Sequence, residues 1–495
     1  MLELNLFFHS VWLSIAIAVT DIPPPQSIAV IGAGIGGSAA AHFLRQQFGG
    51  DVRIDVYESE EVGGRLATAS IDGQDYEVGA TAIHPLNLYM KGFAQMLGLK
   101  ELQLPNEVQA VYDGEEFVFE DSDWFIVNAI KLVWRYGFDY LRVKMWVERY
   151  LHRFMRIYQF QSGGYCFTTV ERLLHAVGGD GLAQMTRHSI DEALQNVGIG
   201  QRFLNEMITP VLRLSSGQSV NINAFVGMIS LLRADSDLWT VGGGNKLVCS
   251  GLLYAAKVNL IKGTVTSIHS KRRPQRNGEF VHLYEVNYTE GSVAGHNTYD
   301  LVILATALHP GKSPIRFHDP AQPISVHSSR YQEKVVTLVA GCLNASYFGQ
   351  KHSEPFRPTA IATTAHAGSL ILAASVAVPV TAEPDRQPPS CARVWRLLSP
   401  EPLAAAEVSR LVASPQAVRE ARWLAHPRYS PSDEASPFIL HRHLYHLNAV
   451  EWAASTMEMM AISAKNTALL AHHRWYWQLE KVDQDTVAHG QKVEL

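Results

Sequence analysis

Ser27-Ile28-Ala29-Val30-Ile31-Gly32-Ala33-Gly34-Ile35-Gly36-Gly37, with its continuation to Thr68, decides how this chain folds. The first five residues form a short apolar, β-branched run, the pattern of a buried parallel strand. The glycines that follow serve three ends: a turn too tight for a Cβ, close approach of backbone to a pyrophosphate, and close packing of the next helix on the strand. Ser38-Ala39-Ala40-Ala41-His42-Phe43-Leu44 reads as that helix, its free N–H groups facing the phosphates. A second strand, Val52-Arg53-Ile54-Asp55-Val56-Tyr57, ends on Glu58. That acid falls about 20 residues past the last glycine, where a carboxylate accepts ribose hydroxyls. Strand, turn, helix, strand and acid in this order predict dinucleotide binding.

The next residues choose between cofactors. Val62-Gly63-Gly64-Arg65-Leu66-Ala67-Thr68 adds two glycines and an arginine for which a plain NAD domain has no use. The segment resembles the G-G-R of flavin amine oxidases, where backbone and guanidinium reach the pyrophosphate of FAD. Arginine suits phosphate because its planar fork pairs bidentately with two oxygens. FAD is therefore the expected cofactor.

At 495 residues, 47% hydrophobic and 18% charged, the chain has material for two or three domains with a large core. A net charge of −5 gives no argument for nucleic-acid binding, and none is expected. The four cysteines are too scattered for a disulfide scaffold, and none forms a C-x-x-C. Leu6 to Val19 is an apolar run of signal-peptide length, followed by small or polar residues and Pro23-Pro24-Pro25. Residues 1–20 are accordingly read as a signal peptide, with an uncleaved anchor or a gene-model artefact as the alternatives, since no Lys or Arg precedes the run. The sequons at Asn287 and Asn344 are compatible with a lumenal route.

Asp72-Gly73 marks a hairpin. Tyr76 to His84 resembles the segment that passes the isoalloxazine ring in amine-oxidase-like flavoproteins. His84 either faces the flavin or substrate, as a catalytic candidate, or is hydrogen-bonded at the head of the next helix. Residues 87–240 look mainly helical. Trp124 to Phe160 interleaves aromatics with seven Lys/Arg between 131 and 156, against Asp139 and Glu148. Such helices dock on a membrane surface, line an apolar substrate tunnel, or turn an apolar side to the core. Thr264 to Ile268 and Asp300 to Thr306 read as strands of the cofactor domain, and residues 310–425 as an antiparallel sheet. His441, His443 and His446 lack a carboxylate or cysteine cluster, so no metal is expected. Leu444 to Glu451 reads as a strand closing on an acid. A long helix follows, its N-terminus aimed at the flavin.

With these pieces assembled, the chain resembles the prenylcysteine oxidase family, most closely its prenylcysteine oxidase-like branch. The resemblance rests on Gly63 to Thr68, His84-Pro85-Leu86-Asn87-Leu88, Trp134-Arg135-Tyr136-Gly137, Phe154-Met155-Arg156-Ile157-Tyr158, Gly217-Gln218-Ser219, Ala224 to Gly227 and Gly243 to Leu252. Alanine at position 449, where the enzyme-like pattern has glycine, is the main departure, and it bears on catalytic competence. The resemblance implies an α/β architecture, a Rossmann-type FAD-binding domain of the amine-oxidase kind (26–86, 241–308 and 426–475). An α+β substrate domain (87–240 and 309–425) is interleaved with it, and residues 476–495 form a tail.

The implied cofactor residues are Gly32, Gly34, Gly36, Gly37, Glu58, Gly63, Gly64, Arg65, Gly79, Ala80, Val265, Glu451, Thr456 and Met457. The implied reaction oxidises a farnesyl- or geranylgeranyl-cysteine at its allylic carbon. Hydration and collapse then give cysteine and an isoprenoid aldehyde, with molecular oxygen reduced to hydrogen peroxide. Another amine- or carotenoid-type FAD oxidoreductase, and a non-catalytic FAD-containing lipid-binding homologue, are the alternative readings. Peripheral membrane or lipid-particle contact is among the expected partners.

Overall fold

The computed structural model describes residues 22–234, 237–274, 280–309, 311, 313–319, 330–350, 356–365, 368–381, 393–431 and 436–486. The signal-peptide reading of residues 1–20 falls outside them, as does most of the proline-rich stretch 381–389.

A six-stranded sheet is built from four distant parts of the chain, in the order Ile439–His441, Leu444–His446, Leu301–Leu304, Ser27–Ile31, Arg53–Glu58, Asn259–Lys262. All its pairings are parallel except the first. Register sets Ile28 between Leu301 and Ile54, all three essentially without solvent exposure, so the central strand is covered on both faces. That double burial is why Ser27–Ile31 and Leu301–Leu304 read as continuous apolar runs instead of alternating ones.

Helix Ile35–Phe48 packs on one face. Ala39, Ala40 and Ala41 are buried and small enough to bring it close to Met457–Trp475. The latter helix is buried nearly all round, so its polar residues need internal partners. Ser463 Oγ donates to the Leu447 carbonyl (2.6 Å), and the Asn466 amide bonds both N and O of Phe167 (2.8 and 2.9 Å). A single hydrophobic core runs from the sheet through this helix into the helices of residues 136–232, so the nucleotide-binding and helical parts share one interior. Across the sheet, a four-stranded layer brings Tyr299 OH onto Asp55 and Tyr57 OH, each at 2.7 Å.

A seven-stranded sheet forms the other large layer: Val418–Pro427, Tyr331–Ala340, Val394–Ser399, Ala373–Val376, Ala360–Thr363, Gln109–Tyr112, Phe117–Glu120. Residues 87–240 are mainly helical, as expected, but they also contain the last two strands of this sheet and Glu101–Gln103, which pairs with Trp239–Val241. These strands span three or four residues, too few for alternation to show, and Gln109–Tyr112 pairs in parallel with Ala360–Thr363, some 250 residues away. The Asp72-Gly73 turn is observed, with both residues at positive φ between Thr68–Ile71 and Gln74–Glu77. The strand expected from Leu444 to Glu451 ends at His446. A 3₁₀ turn, Leu447–Trp452, takes over and tucks Glu451 inwards.

Candidate functional site

A cavity of about 520 Å³, within the size range of ligand pockets, lies between the two large sheets and the helices of residues 151–232. At one end the glycine segments cross. Gly34 and Gly63 form an isolated parallel bridge, and Gly63 N donates to the Ala33 carbonyl (3.0 Å). Each glycine has its own reason. A Cβ on Gly32 would stand 2.7 Å from the Ala305 carbonyl oxygen, one on Gly37 only 1.9 Å from that of Gly32, and one on Gly79 only 1.9 Å from that of Arg65. These three are required by the protein's own backbone. A Cβ on Gly34 would meet nothing closer than 3.6 Å, so the space it leaves is open to a ligand. That bare strip of backbone beside a helix N-terminus is a cradle of the kind that takes a pyrophosphate.

Gly32, Gly34, Gly36, Glu58, Gly63, Gly64, Arg65, Gly79, Ala80, His84, Val265, Thr456 and Met457 all line the cavity. Glu58 closes the second strand with its Oε2 accepting from Ala33 N (2.8 Å), which fixes the carboxylate at the mouth of the turn. Val265 sits at a bulge in Thr264–Pro274 and carries that strand's backbone to the same wall. Thr456 caps Met457–Trp475 through Oγ1, which accepts from Met459 N (3.2 Å), and the positive end of that helix faces the cavity.

Two of the expected cofactor residues are placed otherwise. Gly37 lies behind the turn, packed on Gly32. Glu451 is fully buried and its carboxylate is spent inside the protein, on the Arg65 guanidinium and Tyr331 OH. Arg65 also donates to the Ala425 carbonyl (2.9 Å) and Ser455 Oγ (3.2 Å). Burial alone would lower the arginine's pKa, but Glu451 together with the Tyr331 and Tyr429 hydroxyls outweighs it and the net shift is upward. Arg65 is thus a fixed cation in the cavity wall with Glu451 as its counterion. The two residues reach each other across 386 positions of sequence, a pairing that no local pattern records.

His84 is hydrogen-bonded at the head of the next helix and also stands in the cavity wall. Its Nδ1 accepts from Leu86 N (3.1 Å) at the head of helix Leu88–Met96. An accepting Nδ1 leaves the proton on Nε2 in the neutral ring.

Other residues support the wall from behind or complete it. Asn245 is buried and ties down the segment beside the glycine crossing, its Nδ2 donating to the carbonyls of Ala80 and Thr81, both at 2.9 Å. Glu77 accepts from Asn245 N (2.6 Å), and burial raises its pKa to about 7. From the seven-stranded sheet, Lys334, Arg396 and His426 face the cavity, joined by Arg233 from the helices. Burial pulls Lys334 and His426 well below their usual values and Arg396 down to about 10, each reinforced by its cationic neighbours. Apolar side chains complete the chamber, among them Leu151, Phe154, Met155, Leu214, Ile229 and Leu398. Only the end of the aromatic-rich region reaches it: Trp124 to Met145 do not line the cavity, which narrows the tunnel reading of Trp124 to Phe160.

Glu458 gives a prediction. It is buried at the cavity edge and accepts from Tyr89 N (2.7 Å), Met90 N (3.0 Å) and Tyr158 OH (2.6 Å), capping helix Leu88–Met96 from another part of the chain. Burial raises its pKa to about 7, above the usual carboxylate value. In that window the folded state holds a proton that the unfolded state has lost, so stability falls as pH rises from about 4.5 to 7. Glu458→Gln is expected to remove this slope, up to about 3 kcal/mol across the window. Urea unfolding of both proteins at pH 5 and pH 8 checks it. Parallel behaviour of the two would place the proton elsewhere.

A family model described as prenylcysteine lyase matches residues 119–484, and one for an NAD(P)-binding Rossmann-like domain matches residues 30–97. The chain is 48% identical to human prenylcysteine oxidase 1 over 473 residues, 95% of this chain and 94% of that protein. It is 44% identical to the prenylcysteine oxidase 1-like protein of Bos taurus over 483 residues, 97% of each. Values this similar do not separate the two branches. Among solved structures, a redesigned putrescine oxidase matches with a TM-score of 0.57 at 16% identity, over 90% of this chain and 99% of the other. Cyclohexylamine oxidase from Brevibacterium oxydans matches with 0.55 at 13%, over 91% and 99%. At such identity the shared property is the fold.

Proposed function

The chain belongs to the prenylcysteine oxidase family, and on that premise we propose that it is an FAD-dependent thioether oxidase of farnesyl- or geranylgeranyl-cysteine. Its products are cysteine, an isoprenoid aldehyde and hydrogen peroxide. The observation that carries the reading is one continuous cavity, a bare glycine cradle at one end and an apolar chamber with buried cations at the other.

The cradle fits FAD. Gly34 leaves backbone open to a pyrophosphate, with Gly63 and Gly64 in the same wall; Glu58 would accept from ribose hydroxyls there, and Arg65 would supply a fixed guanidinium. The N-terminus of Met457–Trp475 offers N–H groups and a positive dipole to a ring that gains electrons. When bound, FAD supplies the two-electron oxidation of the carbon beside sulfur and the transfer of those electrons to molecular oxygen. The chain's own residues do the rest. Leu151, Phe154, Met155 and Ile229 offer apolar lining to the isoprenoid, at about 0.8 kcal/mol per methylene buried. Arg396 and Arg233 give a cationic wall, with Lys334 beside them as a further N–H donor, that suits the carboxylate of an amino-acid thioether.

We extend the proposal to the compartment: a secretory route to the lysosome or the cell exterior. The apolar run at residues 6–19 supports it, and so does a disulfide bond at Cys342, a form that persists in oxidising compartments. N-terminal sequencing of mature protein that read from Met1 would refute it.

The activity is tested by anaerobic mixing of FAD-loaded protein with farnesylcysteine, a saturated S-alkylcysteine and S-methylcysteine, followed by peroxide measurement in air. Farnesylcysteine is expected to bleach the flavin absorbance. The saturated thioether should react on the order of a thousandfold more slowly, because it lacks the double bond that stabilises developing positive charge. Equal rates would refute oxidation at an allylic carbon. No bleaching by any of the three, with FAD bound, would mark a non-catalytic homologue.

A further inference from the structure

The region from Trp124 to Met145 is apolar on the outside. Eleven of the twenty-two exposed large hydrophobic residues among those described fall in this short stretch, including Phe125 (84% exposed), Ile126 (68%), Ile130 (62%) and Trp134 (87%). Chance scattering of surface apolar residues does not concentrate half of them in one hairpin, and a contiguous patch of this kind marks an interaction site. The helices are held by their inner sides. Tyr136 OH and Arg135 Nε both bond Glu206, at 2.9 and 2.7 Å, while Val143, Trp146 and Val147 are buried in the core. The exposed side is thus presented on a rigid base.

We propose that this hairpin, Phe125–Tyr136 with the first half of Asp139–Phe154, is the surface by which the protein lies on a phospholipid bilayer carrying anionic headgroups. Charge identifies the partner. Residues 125–146 hold four Lys/Arg against one acid, Asp139, a local excess of three positive charges in a chain whose net charge is −5, and Arg149 follows one turn on. Lys131, Arg142, Lys144 and Arg149 are exposed around the apolar residues. Basic side chains ringing Trp, Phe and Ile suit the boundary between headgroups and acyl chains. A protein partner would place its own acids there, whereas a bilayer also needs the aromatic belt found here. No described helix is long and apolar enough to cross a membrane, so the hairpin lies in the interface.

The docked face leads to the cavity. Helix Asp139–Phe154 begins with exposed Tyr140, Leu141 and Met145, and its other end supplies Leu151 and Phe154 to the cavity wall, followed by Met155 and Tyr158. A lipid-dissolved substrate thus meets the protein on the element that also lines its binding chamber. This last step rests on the prenylcysteine reading; the docking itself does not.

The test is co-flotation of FAD-loaded protein with vesicles of phosphatidylcholine alone or with phosphatidylserine added. Phe125→Glu/Ile130→Glu/Trp134→Glu serves as the variant; none of these residues lines the cavity. The wild type is expected to float with the phosphatidylserine vesicles, less so at 1 M salt, and the variant to lose at least about tenfold in partitioning. The variant should oxidise detergent-dispersed farnesylcysteine as the wild type does, but be slower when the substrate is presented in vesicles. Equal flotation of both proteins would overturn the proposal. So would a wild-type dimer in sedimentation that the variant loses, since a second copy would then cover the face. Flotation without oxidation by either protein would keep the docking surface and refute the activity instead.

Discussion

Arg65→Met is expected to cost about 3–5 kcal/mol of folding stability, the range for removing one partner of a buried ion pair. The reason lies behind the cavity wall. Glu451 is fully buried, and its carboxylate is shared between Arg65 and Tyr331 OH. Without the guanidinium, a charge remains in the interior with one neutral hydroxyl, and the Ala425 carbonyl and Ser455 hydroxyl also lose their donor. Urea denaturation measures the loss. The double variant Arg65→Met/Glu451→Gln is expected to recover most of it, because a neutral amide is far cheaper to bury than an unpaired carboxylate. A single variant within about 1 kcal/mol of wild type would show that the carboxylate finds water or a proton at little cost.

The second large effect separates two glycines three residues apart. Gly37→Ala places a Cβ where only 1.9 Å separates it from the Gly32 carbonyl oxygen, a backbone atom that cannot step aside. This variant is expected not to accumulate as folded protein. Gly34→Ala meets nothing closer than 3.6 Å and is expected to fold with wild-type circular dichroism. Its methyl group occupies the open strip of the cradle, so FAD affinity should fall by more than about a hundredfold, some 3 kcal/mol. Absorbance of the purified proteins near 450 nm reads the difference. A Gly34→Ala protein with full flavin content would show that the pyrophosphate does not approach there.

The nucleotide-binding unit was legible because it is local. Strand, turn, helix, strand and acid lie within Ser27 to Glu58, and the constraint on Gly37 arises from Gly32 inside that unit. Legibility ended where partners are distant. Arg65 and Glu451 both belong to the site in sequence, yet nothing in either segment says that they neutralise each other. Lys334, Arg396 and His426 come from three strands, and only the sheet turns them towards one cavity. Glu458 caps a helix 369 residues away. The aromatic-rich helices failed for a different reason. An apolar helix face has the same sequence whether it meets a core, a tunnel or solvent, so composition alone did not separate those outcomes.

The six-stranded sheet also sets a timetable for synthesis. Ser27–Ile31 leaves the ribosome early, but its neighbour Leu301–Leu304 follows some 270 residues later, and Leu444–His446 with helix Met457–Trp475 come last. At about 5–20 residues per second, the first strand spends tens of seconds with one apolar edge uncovered. Its glycine turn cannot be closed by Ala305, nor Arg65 by Glu451, until those stretches emerge. Nascent chains arrested before residue 440 should therefore be prone to capture by chaperones and unable to retain the cofactor, however complete their first βαβ unit looks.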